Sequence, residues 1–149
     1  MKKHLITLMA VVFFAALTVT SVHAQGLTMS VTIPFDFAVE GKTLPAGEYY
    51  FQRRMDNSWA VTEIRSRDKT LRIYLPQTHP VQDIEVQLDS KSKLVFNKYG
   101  NQFFLSQVWI RGRTIGEELP KTAKERGFQR ELARRPAKPE TITIAARSN

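Results

Sequence analysis

The sequence predicts an all-β fold, an antiparallel β-meander forming a sandwich or a small barrel, with one α-helix near the C-terminal end. Three observations carry this. Apolar residues fall on every odd position from Leu27 to Val39, the period-two beat of a half-buried strand. Turn sequences recur at hairpin intervals, at Glu40-Gly41-Lys42, Leu44-Pro45-Ala46-Gly47, Met55-Asp56-Asn57-Ser58 and Ser66-Arg67-Asp68-Lys69, as a meander requires. Between Ala123 and Arg135 there is no β-branched residue, which favours helix over strand there.

The first strand holds Leu27, Met29, Val31, Ile33, Phe35, Phe37 and Val39 on one face. Pro34 falls on the opposite phase and removes a backbone donor, which marks an edge or a bulge. At the next corner Pro45 presets φ, and Gly47 is then free to take a positive φ. Glu48–Arg54 continues as a strand rich in aromatics, followed by Trp59–Ile64 and then Thr70–Leu75, with Leu71, Ile73 and Leu75 on one face. Pro76 and Pro80 bracket an expected loop containing His79, and Ile84, Val86 and Leu88 alternate with polar residues in a further strand. Lys93–Lys98 leads through the turn Tyr99-Gly100-Asn101-Gln102 into Phe103–Ile110, whose two phases are both apolar. That strand is expected to be covered on two sides.

The helix is expected over residues 119–135, with Pro120 in its first turn. Its apolar face is thin, and Gly127 costs about 1 kcal/mol relative to Ala, so it must lean on the sheet. Phe128 and Leu132, one turn apart, are the expected contact, over the outer phase of Phe103–Ile110. Residues 136–149 form a tail in which Thr141–Ile144 reads as a short strand or a disordered end. The β domain proper then occupies residues 25–118.

Residues 1–24 read as an address. Met1-Lys2-Lys3-His4 is cationic, Leu5–Val19 is apolar and uncharged, and Val22-x-Ala24 suits signal peptidase, the three regions of a cleaved signal peptide. The expectation is a mature chain starting at Gln25, exported to the periplasm or beyond, with no stable membrane span after processing. The whole chain has 149 residues, with 22 Lys+Arg against 14 Asp+Glu and no cysteine. The lack of cysteine excludes thiol nucleophiles, disulfides, thiolate metal sites and lipid attachment at a lipobox.

The search for chemistry is short. His79 is the sole histidine after the leader, and without a nucleophile elbow beside it the ordinary reading is a loop residue. Glu117 and Glu118 are the one nameable start for a carboxylate pair acting on glycans, but neighbours on an extended chain point apart. There is no phosphate-binding glycine loop. No enzyme activity, cofactor or metal is expected, and no nucleic acid partner.

Charge is the more informative signal. Residues 25–110 carry 10 basic and 9 acidic side chains, whereas residues 111–149 carry 10 and 5. Arg111, Arg113, Lys121, Lys124, Arg126, Arg130, Arg134 and Arg135, with Lys138 beyond them, form a basic segment suited to an anionic envelope polymer or protein partner. Two alternatives stand beside this binding or structural module: a carrier barrel with a small apolar ligand among the strand aromatics, and the carboxylate-dependent glycan hydrolase.

Pro34-Phe35-Asp36-Phe37, Gly41-Lys42-Thr43-Leu44-Pro45-Ala46-Gly47-Glu48-Tyr49, the run Lys93–Leu105 and Glu118-Leu119-Pro120-Lys121 resemble blocks of a large family of small exported proteins of soil bacteria, β-rich and without an established activity. The resemblance spans most of the chain after the leader and implies export and β-structure, not a chemistry. The Leu44–Tyr49 corner is also similar to turns in prealbumin-like repeats of bacterial surface proteins.

Overall fold

The computed structural model describes residues 28–56, 59–75, 78–82, 91–134 and 139–148. The leader, the strand expected at Ile84–Leu88, and Arg135 and Lys138 lie outside them. The elements run β1 (Thr28–Ile33), β2 (Phe37–Val39), β3 (Lys42–Leu44), β4 (Gly47–Asp56), β5 (Trp59–Ser66), β6 (Arg72–Leu75), β7 (His79–Gln82), β8 (Lys93–Tyr99), β9 (Gln102–Trp109) and β10 (Ile115–Glu118). The helix α1 (Ala123–Ala133) and strands β11 (Glu140–Ala145) and β12 (Arg147–Ser148) follow.

Two sheets result. The first runs β12-β1-β4-β5-β6, the second β11-β8-β9-β10-β7, with β2 and β3 attached to β9. Neither closes on itself, so of the two expected architectures the sandwich forms and the barrel does not. Pairing is antiparallel apart from a single parallel bridge, Ala38 to Phe104.

The alternation read from the sequence builds the core. Met29, Val31 and Ile33 of β1, Tyr49 and Phe51 of β4, Ile64 of β5, and Ile73 and Leu75 of β6 are buried on the inner face of the first sheet. Leu94, Phe96, Leu105 and Val108 answer from the second. Phe35 stacks on Phe103 at 3.8 Å between centroids, and Phe37 meets Tyr49 and Phe96 edge-on at 5.3 and 5.6 Å, the arrangement aromatic quadrupoles prefer.

The strand at Phe103–Ile110 is covered on both sides, but its two phases are not those of strict alternation. Val95 pairs with Gln107 and Phe96 with Leu105, so Ser106 is the extra residue of a β-bulge. The bulge exchanges the faces. Leu105 and Val108 both point into the core, whereas Trp109 lies outside, over Gly116 of β10 and beneath the Lys93 ammonium at 5.1 Å. A β-carbon on Gly116 would lie 2.6 Å from two ring carbons of Trp109, which is why only glycine fits beneath the indole.

Two further expectations change, and one freedom goes unused. His79 is not in a loop, because His79–Gln82 pairs with β10 as an edge strand; Pro80 is tolerated there because an edge can spare a donor. Gly47 does not use a positive φ, which falls instead on Glu40 and Gly41 (47° and 77°) in the β2–β3 turn. Pro120 precedes the helix, whose N-cap is Thr122, its side chain accepting from the Glu125 amide, the spacing of a capping box.

The segment after the helix is a strand. β11 pairs with β8 over six residues, from Glu140 opposite Lys98 to Ala145 opposite Lys93. The chain then turns at buried Ala146, whose amide donates to the Ser92 carbonyl at 2.8 Å, and β12 pairs with β1 in the other sheet. One short stretch thus provides an edge to both layers.

Candidate functional site

The helix lies on the outer face of the second sheet. Phe128 and Leu132 pack against Ala38, Tyr99 and Phe104, the contact expected from their spacing. Beneath them Glu125 is 4% exposed, its Oε1 accepting from Asn97 Nδ2 at 2.9 Å and from the Tyr99 hydroxyl at 3.3 Å. Burial first, then the Glu125 charge and hydrogen bond, push the Tyr99 phenol up to about 12. An open hollow of about 200 Å³ beside this contact is lined by Tyr99, Gly100, Phe128, Glu131 and Leu132.

With that face committed, the rest of the helix is presented to solvent. Arg126, Arg130 and Arg134 are exposed and recur at i, i+4 and i+8, a stripe with about 6 Å between neighbours along the axis and opposite to Phe128 and Leu132. The Arg126 guanidinium donates to the Lys121 carbonyl, and Arg130 Nε donates to the Arg126 carbonyl at 3.3 Å. Lys124 is exposed on the same helix, and Lys121, before it, donates to Gln129 at 3.3 Å. Among the described residues no carboxylate pairs with Lys124, Arg126, Arg130 or Arg134. The structure therefore brings together Lys121, Lys124, Arg126, Arg130 and Arg134 of the basic segment.

The remaining members lie elsewhere. Arg111 is exposed after β9, its amide donating to Ser92 Oγ at 2.9 Å. Arg113 is turned onto Glu117 at 2.9 Å, and Arg135 falls outside the described residues. Arg113 is thus one half of an internal ion pair and not a free cation of the stripe.

That pair belongs to a polar cluster between the sheets. Arg53 of β4, on the inner face, and Arg113 both reach Glu117 Oε1, while the Thr62 hydroxyl donates to Oε2 at 2.6 Å. Glu117 is 5% exposed. Burial, and for Arg53 also the like charge of Arg113, lowers both guanidinium pKa values from their ordinary level, yet arginine stays protonated. Glu118 is exposed on the other face, opposite His79. The two adjacent acids do point apart, and Glu117 is already fully occupied by cations and a hydroxyl. Among the described residues no three His, Asp or Glu side chains gather closely enough to hold a metal ion, and no helix is long and apolar enough to cross a membrane.

The motif blocks of the sequence turn out to be scaffolding. Asp36 accepts the Ala46 amide at 2.8 Å and the Tyr49 hydroxyl donates to the Pro45 carbonyl. Phe35, Phe37, Phe96 and Phe103 interlock in the core, and Asn97 and Tyr99 seat the helix through Glu125. No protein-family model, curated protein or solved structure matches the chain.

The sequence reading missed one surface. The outer face of the first sheet gathers Arg54, Arg65, Arg72 and Arg147 from four strands. Period-two phase was the available signal: Arg54, Arg65 and Arg72 all fall on the outward beat of their strands.

Proposed function

We propose that this chain is an exported, non-catalytic β-sandwich of the bacterial envelope or extracellular space, which uses its basic helix to hold an anionic envelope polymer or protein. The observation that carries the reading is the Arg126–Arg130–Arg134 stripe, held outward because Glu125, Phe128 and Leu132 fix the opposite side of the helix. Guanidinium forks match carboxylate, sulfate and phosphate groups bidentately, and an unneutralised row steers a polyanion toward the helix. The Met1–Ala24 pattern and the likeness of four sequence blocks to small exported proteins support the location.

Open sheets with Phe35, Phe37, Tyr49, Phe51 and Phe96 packed between them support this reading over the carrier alternative. The pairing of Glu117 with Arg53 and Arg113 supports it over the hydrolase alternative.

The test is salt-gradient elution of the processed protein from immobilised dextran sulfate. Replacing Arg126, Arg130 and Arg134 by Gln should bring elution to clearly lower salt than a charge-matched variant carrying K42Q, K69Q and K91Q. Equal shifts in the two variants would refute a role for the helix.

A further inference from the structure

On the flank opposite the helix, the outer face of the first sheet carries a row of residues set in register across all five strands. Arg147 of β12 lies opposite Ser30 of β1, Ser30 opposite Tyr50 of β4, Tyr50 opposite Arg65 of β5, and Arg65 opposite Arg72 of β6. At about 4.8 Å between strands the row is about 19 Å long. The neighbouring row ends in Tyr74, which is 47% exposed, opposite Glu63.

Glu63 organises this face. It is 3% exposed although it points outward, because Arg54 and Arg72 fold over it at 3.2 and 3.0 Å. The carboxylate thereby fixes two guanidinium groups flat on the sheet. Arg65 makes a different contact, lying 5.9 Å from the centroid of the Tyr50 ring. Among the described residues neither Arg65 nor Arg147 pairs with a carboxylate. Arg65 and Arg72 are also like charges directly opposite on adjacent strands, an arrangement that weakens a sheet. Glu63 answers the Arg72 charge from within the chain, which leaves the Arg65 charge for an external anion to answer.

The geometry points to this face as a binding surface for a carboxylated polysaccharide, a chain of uronic acid rings crossing the strands along the Arg147–Arg72 row. Arg65 and Arg147, which hold no carboxylate of the chain among the described residues, each take one in a two-bond fork, and the exposed Tyr74 ring offers a flat surface to a sugar. The row is long and open, unlike a cleft for a single small anion. A lipid surface fits less well, because insertion needs several apolar side chains, and Tyr74 is the one exposed large hydrophobic residue among those described. The surface is separate from the helix stripe, so either can fail alone.

Affinity electrophoresis of the processed protein through gels containing polygalacturonate tests it, with neutral dextran gels as blank. The double variant R65Q/R147Q should bind at least about tenfold more weakly than the parent, as expected for two lost charge-assisted contacts. The charge-matched K42Q/K91Q variant should stay within about twofold. Neither Arg65 nor Arg147 holds a buried partner, so the thermal midpoint of R65Q/R147Q should stay within about 3 °C of the parent. Equal losses in R65Q/R147Q and K42Q/K91Q overturn the proposal by reducing it to net charge. So does tighter binding to phosphatidylglycerol vesicles than to polygalacturonate, and a loss confined to the helix variant R126Q/R130Q/R134Q overturns it while leaving the helix reading intact.

Discussion

The Tyr49 hydroxyl donates to the carbonyl of Pro45, four residues back along the chain, at 2.7 Å. The ring is 2% exposed and meets Phe37 edge-on, so one residue closes the Leu44–Gly47 corner and fills the core beneath it. This is the logic of a tyrosine corner. Tyr49→Phe keeps the ring and deletes the bond, and should lower stability by about 1 kcal/mol. Urea unfolding would show a lower midpoint at unchanged slope.

Gly116 is expected to be intolerant of even a methyl group. Gly116→Ala places a carbon against the Trp109 ring, and the indole must leave its place between Lys93 and β10. Overpacking of this kind costs about 1–3 kcal/mol. A thermal midpoint unchanged from the parent, with unchanged tryptophan emission, would contradict this account of β9 and β10.

Alkaline pH should loosen the helix. The Tyr99 phenol is raised to about 12 in the fold from an ordinary 10. Its stabilising effect is complete below about pH 10 and fades as pH rises toward 12, because in that window the unfolded chain releases a proton that the folded chain still holds. Thermal midpoints followed from pH 9 to 12 should fall, and Tyr99→Phe should flatten part of the fall. If the variant falls as steeply as the parent, Tyr99 is not the group responsible.

Much of this fold was legible because binary patterning sets strand faces. Met29, Val31 and Ile33, or Ile73 and Leu75, needed nothing beyond period two. What escaped has physical causes. Ser106 adds one residue to one strand and exchanges the faces of everything after it, and no local composition announces that. Pro80 reads as a breaker until β10 supplies the partner that makes His79–Gln82 an edge. The helix side chains were legible through their spacing, whereas Arg113 looks like any other cation until Glu117 is folded against it. The arginines of the first sheet were hidden by sequence balance, since only the folded sheet shows that Glu63 answers Arg54 and Arg72 while Arg65 and Arg147 have no carboxylate partner among the described residues.

The crossing at Ala146 has a consequence for the order of events in the life of the chain. Ser30 waits for Arg147, and Phe96 for Ile142, so neither layer has its full complement of strands until residues 140–148 have been synthesised. Pairings so distant in sequence are slow to form. Both layers therefore gain their last strand together, and a chain cut before residue 140 would leave each sheet with a raw edge at once.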